Sequence, residues 1–276
     1  MVKNTMFKLI ALDIDGTLKV SGGTISNYTK SILSKCKDAG TIVVIATGRS
    51  RKSADPIVNE LDVLDYLVSF QGALITGING NQPVWARVLD RERLIAINEG
   101  LKGWEVEKVA YVEDFICVER MTKWARDYSE RNGVEIKLVP DLCSLEVDPY
   151  RVLAVGEEGD VERLEKEMNL KLNGYVYSTR SLPNYCEFLN PEAGKEKALD
   201  WICKKHGIKS EEVLAFGNGF NDVNMLKWSG LGVAIGDSEG VVIDVADDVA
   251  LSVEQDGVAR YIDQLLETRR IGAVGN

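Results

Sequence analysis

The chain has 276 residues, of which 45% are hydrophobic and 28% charged, and 33 basic against 43 acidic side chains give a net charge of −10. This length allows one large domain or two modest ones, and no apolar run is long enough to span a bilayer. The acidic balance argues against nucleic acids and anionic membranes as partners.

The chain start and the cysteines predict a cytoplasmic protein. The segment MVKNTMFKLI lacks the apolar core of a signal peptide. The five cysteines are odd in number and contain no C-x-x-C pair, which favours reduced thiols over a disulfide framework. His206 is the only histidine, so a Ser-His-Asp triad is not expected and carboxylates must carry any proton transfer. Cys203 and His206 form at most half of a zinc site, and we expect no zinc.

Short apolar runs recur along the chain, and each is followed by a helical pattern. The runs lie at residues 7–14, 41–47, 66–70, 212–217, 230–235 and 248–253. Their apolarity is continuous rather than alternating, which is typical of strands buried on both faces of a parallel sheet. The sequence therefore predicts an α/β fold with a doubly wound, Rossmann-like parallel sheet as its core.

The pattern changes between about Pro83 and Glu187. Longer helical patterns at 89–101, 119–131 and 159–169 alternate with strands such as VEIKLV and GYVYST. This predicts an α+β domain at 84–187, inserted between the third and fourth strands of a discontinuous core at 1–83 and 188–276.

Polar residues gather where the predicted strands end, which is where open α/β sheets bind ligands. Asp13 and Asp15 follow strand one, and the stretch GNGFND at 217–222 follows strand four. The other polar strand ends carry Thr47, Gly48 and Arg49 after strand two, and Gln71 and Gly72 after strand three. Any one of these stretches is also explained by turn or helix-cap chemistry, so only the set argues for a site.

Lys195 and the two aspartates predict phosphoryl transfer. A lysine in the first turn of a helix opposes the helix dipole, so an anion is expected beside it. Two carboxylates so close repel each other unless a cation lies between them, and Mg²⁺ binds carboxylates together with a substrate phosphate. Asp13 would then attack phosphorus, and Asp15 would protonate the leaving oxygen and later activate water. Mg²⁺ and Lys195 would neutralise the phosphoryl oxygens.

Four stretches, in their order, resemble the motifs of the haloacid dehalogenase superfamily. They are DIDGTL, ATGR, the lysine that opens a helix, and GNGFND. The whole chain resembles the Cof-type sugar-phosphate phosphatases, whose α/β cap is inserted after the third core strand. The resemblance implies a Mg²⁺-dependent phosphomonoesterase that acts through a phospho-aspartate on a small phosphorylated metabolite, with a sugar phosphate as the expected substrate.

Residue roles follow from the resemblance, position by position. It implies Asp13 as nucleophile and Asp15 as acid/base, with Thr47 and Lys195 holding the phosphoryl group. The implied metal ligands are Asp13, Asp15 through its backbone carbonyl, Asn218 and Asp222. The substrate-binding candidates are Thr47, Gly48, Arg49, Gln71, Lys195 and Asn221. Arg151, Arg180 and Tyr185 are cap candidates that no spacing argument singles out.

Two residues depart from the family pattern. Asn218 stands where the family usually has Asp, and Gln71-Gly72 stands where it usually has Asn-Gly. An amide oxygen coordinates Mg²⁺ without contributing charge, so we expect weakened metal affinity. A degenerate, inactive site is the alternative reading.

Other functions stay open to different degrees. GNGFND lacks the third glycine of a dinucleotide fingerprint, and Glu196 stands where a phosphate-binding loop needs Ser or Thr. A phosphosugar mutase, a phosphoglycolate phosphatase-like enzyme and a non-catalytic phosphometabolite-binding protein all remain. The sequence leaves monomer and homodimer equally open.

Overall fold

A computed structural model describes residues 5–20, 22–80 and 82–272. The strands are β1 (Leu9–Leu12), β2 (Ile42–Ala46), β3 (Tyr66–Ser69), β4 (Leu74–Gly77), β5 (Gln82–Ala86), β6 (Glu107–Val112), β7 (Phe115–Val118), β8 (Glu135–Leu138), β9 (Arg151–Val155), β10 (Tyr177–Leu182), β11 (Tyr185–Leu189), β12 (Val213–Gly217), β13 (Leu231–Ala234) and β14 (Asp248–Val249). The helices are α1 (Asn27–Asp38), α2 (Arg51–Leu61), α3 (Arg91–Gly100), α4 (Lys123–Asn132), α5 (Glu158–Lys171), α6 (Lys195–His206), α7 (Val223–Trp228), α8 (Gly240–Val245) and α9 (Gly257–Glu267).

The core is a sheet with the strand order β14-β13-β12-β1-β2-β3-β4-β5. The strands from β14 to β3 in this order are parallel, with β1 between β12 and β2. Helices α1, α2 and α9 pack on one face, and α6, α7 and α8 on the other. The prediction of a doubly wound parallel core is confirmed.

An antiparallel hairpin extends the sheet beyond the predicted strands. β4 pairs antiparallel with β3, and β5 pairs antiparallel with β4. The chain reverses because Phe70 and Gln71 adopt left-handed φ angles of 49° and 55°. The sequence analysis placed only three strands before the insertion, so it missed this pair.

The inserted domain is a six-stranded sheet with the order β10-β11-β9-β6-β7-β8. Helices α3 and α5 cover one face of it. The opposite face packs on α4 and on core residues beside the hairpin, including Phe70 and Leu74. The chain leaves the core sheet after Ala86 and the inserted sheet after Leu189. We call residues 87–189 the cap.

The cap lies over the carboxyl ends of the core strands. Phe70 of the core stacks on Tyr150 of the cap, with 4.8 Å between ring centroids. The guanidinium of Arg180 in the cap lies 4.8 Å from the ring centroid of Phe220, in the loop after β12. The cap therefore covers the edge where the sequence placed the site.

Other features of the described residues bear on the sequence predictions. All five cysteines are free, and only Cys143 is not fully buried. Among the described helices, none has the length and apolarity that a bilayer crossing requires. Near the chain end, Ile271 forms a bridge with Phe7.

Candidate active site

Asp13 sits at the carboxyl end of the central strand β1. Its amide still donates to the carbonyl of Phe216 at 3.1 Å, so the residue continues the parallel ladder, and its side chain is buried. The chain then turns through Gly16, whose φ is +83°. A Cβ on Gly16 would lie 2.3 Å from Nδ2 of Asn218, so only glycine lets this turn approach the loop after β12.

Lys195 joins the two buried aspartates of the site. It is the first residue of α6, and only 2% of it is exposed. Its Nζ donates to Oδ1 of Asp13 at 2.7 Å and to Oδ1 of Asp222 at 2.6 Å. These carboxylates are the anions that a lysine at a helix start requires.

Asp222 also organises the loop that follows β12. Its Oδ2 accepts hydrogen bonds from the backbone amides of Asn218 and Gly219, both at 2.9 Å. Both of its oxygens are therefore engaged by the protein, so Asp222 orients Lys195 and the loop, and its place among the metal ligands stays a prediction.

The buried groups carry an excess of negative charge. Burial raises the pKa of Asp13 to about 7, against the opposing attraction of Lys195, and repulsion from Asp222 and Asp15 adds to the rise. Burial acts against the charge of Lys195, but the attraction of Asp13 and Asp222 outweighs it and holds the Lys195 pKa above its ordinary value. Two carboxylates thus share one ammonium, whose single positive charge balances only one of them when both are ionised.

Asp15 is more exposed and is held by Arg49. Nε of Arg49 donates to Oδ2 of Asp15, and Nη2 donates to Oδ1, both at 2.7 Å. The hydrogen bond with Asp15 is also the main reason that the pKa of Arg49 is raised. Such a bidentate pair is among the stronger charge-assisted contacts, so Arg49 fixes the orientation of this carboxylate.

Thr47 and Gly48 directly follow β2. The Oγ1 of Thr47 accepts the amide of Arg49 at 3.1 Å, and its carbonyl accepts the amide of Gln71 at 3.1 Å. A Cβ on Gly48 would lie 2.5 Å from Nε2 of Gln71. The ends of β2 and β3 are therefore tied together beside Asp13.

Gln71 connects this edge with the cap and with the loop after β12. Its Nε2 donates to Oε1 of Glu187 at 3.0 Å, and its Oε1 accepts from Nδ2 of Asn221 at 2.9 Å. Glu187 also forms a buried ion pair with Arg151. The sequence analysis did not single out Glu187, although an acidic residue inside the apolar strand YCEFL was a visible signal.

The residues present fit a magnesium ion by their donor chemistry. Asp13, the main-chain carbonyl of Asp15 and Oδ1 of Asn218 can each offer an oxygen donor, as Mg²⁺ prefers, and the excess negative charge suits a cation. Thr17, which the sequence analysis did not single out, donates to Oδ1 of Asn218 at 2.9 Å. In the described part of the chain, no cluster of three or more His, Cys, Asp or Glu side chains could hold a metal. An ion here would therefore depend on few charged ligands.

Comparison with known proteins identifies the family. The sequence model of the haloacid dehalogenase-like hydrolases matches residues 10–262. The chain belongs to this family. It is 28% identical over 265 residues to the 5-amino-6-(5-phospho-D-ribitylamino)uracil phosphatase YitU of Bacillus subtilis, covering 93% of this chain and 96% of that protein.

Solved structures of the family have the same fold. A haloacid dehalogenase-like hydrolase from Bacteroides thetaiotaomicron superposes with a TM-score of 0.79 at 28% identity, covering 94% of this chain and 99% of the other. A subclass IIB sugar phosphatase of the superfamily superposes with a TM-score of 0.80 at 21% identity, covering 94% and 98%. The resemblance to the Cof-type hydrolases is confirmed, and the family membership makes the chain a phosphatase-type hydrolase.

Proposed function

We propose that this hydrolase is a Mg²⁺-dependent phosphomonoesterase that acts through a phospho-aspartate at Asp13. The observation that carries the proposal is the buried set of Asp13, Lys195 and Asp222 at the end of the central strand. A buried carboxylate held against a lysine is suited to attack phosphorus, because the positive charge also attracts the phosphoryl oxygens.

The first step forms a bond between Asp13 and phosphorus. Lys195 holds Oδ1 of Asp13, which leaves Oδ2 as the attacking atom. The bond between phosphorus and the leaving oxygen breaks, and Asp15 supplies the proton that this oxygen takes up. Arg49 must release Asp15 for this transfer, since it occupies both carboxylate oxygens.

The second step hydrolyses the phospho-enzyme. Asp15, now deprotonated, takes a proton from a water molecule that attacks phosphorus, and the bond between Asp13 and phosphorus breaks. Thr47 lies buried directly after β2, and its hydroxyl would bind a phosphoryl oxygen. Inorganic phosphate leaves and Asp13 is restored.

The metal would be held by Asp13, the main-chain carbonyl of Asp15 and Asn218. When bound, Mg²⁺ neutralises charge on the phosphoryl oxygens and on Asp13. Asp222 supports this arrangement through Lys195 and through the amides of its loop.

The substrate we propose is a small phosphorylated metabolite, most simply a sugar or sugar-alcohol phosphate. Two of the similar proteins support this substrate class. YitU is named as a 5-amino-6-(5-phospho-D-ribitylamino)uracil phosphatase, and one of the solved structures is a sugar phosphatase. In both names the phosphate belongs to a sugar-like compound. We further propose a cytoplasmic protein without nucleic-acid or membrane partners.

The test is phosphate release from p-nitrophenyl phosphate with Mg²⁺ and with EDTA. We expect release that requires the metal and falls by at least about a thousandfold in Asp13→Asn, because the variant lacks the nucleophile. Asp38→Asn, an exposed change at the end of α1, is the matched control and should keep full activity. Activity that survives in Asp13→Asn would contradict the proposal.

A further inference from the structure

A chain of buried polar side chains crosses from the cap into the core. Arg151 on β9 and Glu187 on β11 are 5% and 2% exposed, and Gln71 of the core is 1% exposed. Arg151 pairs with Glu187, Glu187 accepts from Gln71, and Gln71 accepts from Asn221. These hydrogen-bonded side chains therefore link the cap sheet to the loop that holds Asp222.

Stability alone does not explain a buried ion pair at this place. Removing two charges from water costs about as much as their attraction returns, and apolar pairs of similar volume are often equally stable. Here both oxygens of Glu187 are used, one by Arg151 and one by Gln71. The Arg151 guanidinium also lies 4.0 Å from the ring centroid of Tyr111. Glu187 is thus oriented by the cap and directed at the core.

Gln71 is the core residue that receives this contact. Its left-handed φ of 55° is unfavourable for a residue with a side chain. Its amide donates to the carbonyl of Thr47, and Gly48 leaves room for its side-chain amide. The Gln71 side chain therefore holds Asn221, and the backbone of the same residue holds Thr47.

We propose that Glu187, held by Arg151, is a positioning residue through which the cap completes the phosphoryl site. Contact of its carboxylate with Gln71 aligns Thr47 and Asn221 around the phosphoryl group. This inference rests on the proposed function, and it assigns to the cap a part in alignment besides the covering of the site.

The test uses the double variant Glu187→Leu/Arg151→Met, which removes the pair without leaving an unpaired buried charge. Loss of alignment should lower kcat for p-nitrophenyl phosphate by about tenfold while KM changes less than about twofold. Inhibition by orthovanadate, which adopts the geometry of the transition state, should weaken by about tenfold, and inhibition by inorganic phosphate should not.

The matched control is Asn224→Ala. It breaks a different hydrogen bond between core and cap, from Asn224 to the hydroxyl of Tyr177 at 3.3 Å. This contact is exposed and touches neither Thr47 nor Gln71, so kcat and vanadate inhibition should stay unchanged. A double variant that keeps its vanadate inhibition, or loses vanadate and phosphate binding equally, would overturn the proposal.

A measurement on the unaltered protein tests the inference even if the double variant does not fold. Hydrogen exchange at the amide of Gln71, which donates to Thr47, should slow by about tenfold when vanadate and Mg²⁺ are bound. Unchanged exchange would overturn the inference. These outcomes do not bear on the proposed function. That function is contradicted only if the unaltered enzyme shows no hydrolysis that depends on Asp13.

Discussion

Lys195 illustrates how much a single residue discloses in sequence. Its position at a helix start predicts an anionic neighbour, because a cation there is electrostatically unfavourable. The partners themselves, Asp13 and Asp222, lie 182 and 27 residues away along the chain. They were predictable as strand-end residues, since the ends of parallel strands meet at one edge. The acidic Glu187 was visible inside an apolar strand, but its role was not predictable. That role depends on which face of the cap sheet meets the core.

Asn218 allows a direct test of the donor set. Asn218→Asp keeps the shape of the side chain and adds a carboxylate close to two that already share one lysine. We expect the Mg²⁺ dissociation constant to fall on the order of tenfold, because charged ligands bind the ion more strongly. Without Mg²⁺ the same variant should unfold at a lower temperature than the unaltered protein.

Isothermal titration with MgCl₂ and thermal unfolding in EDTA measure the two effects. The control Asn224→Asp adds the same charge at an exposed position of α7. It should change the Mg²⁺ dissociation constant and the unfolding temperature much less than Asn218→Asp does. Equal Mg²⁺ affinity in Asn218→Asp and the unaltered protein would show that Asn218 does not hold the ion.

At the scale of elements, the strands buried on both faces were predictable and the hairpin β4–β5 was not. Five of the six parallel strands, β1, β2, β3, β12 and β13, read as continuous apolar runs because helices cover them on both faces. The sixth, β14, is an exposed strand of two residues at the sheet edge, so the prediction of a buried strand at 248–253 was wrong. The hairpin follows β3 after a turn set by Phe70, Gln71 and Gly72. A turn made by two non-glycine residues with positive φ has no simple sequence signature.

Gly72 couples this turn to the catalytic helix. Its φ is +95°, and a Cβ there would lie 2.2 Å from the carbonyl oxygen of Gly194, just before Lys195. We expect Gly72→Ala to destabilise the protein by about 2–4 kcal/mol through backbone strain and the clash. It should also reduce hydrolysis of p-nitrophenyl phosphate, because α6 must shift with Lys195.

The control variant Gly133→Ala introduces backbone strain without a steric clash, so it separates the two effects of Gly72→Ala. Gly133 ends α4 with a φ of +63°, and no atom lies within 4 Å of its Cβ position. That variant should lose only about 1 kcal/mol in urea unfolding and keep its activity. Equal losses of stability and activity in the two variants would contradict the coupling.

At the scale of the whole molecule, the site lies where the cap meets the core. The sequence predicted the insertion, because its helical and strand patterns differ from those of the core. The contact surface was not predictable, since Phe70, Tyr150 and Arg180 meet partners far away in the chain. Under the proposed function, the core would supply the phosphoryl chemistry, and the cap would supply the face that the rest of the substrate meets.

The central claim is a covalent bond between phosphorus and Asp13. The most direct measurement is mass spectrometry of the enzyme, quenched with borohydride during turnover of p-nitrophenyl phosphate with Mg²⁺. Borohydride reduces an acyl phosphate to an alcohol, so we predict conversion of Asp13 to homoserine in the peptide that contains it, and none in EDTA. Turnover with an unmodified Asp13 peptide under the same quench would contradict the account.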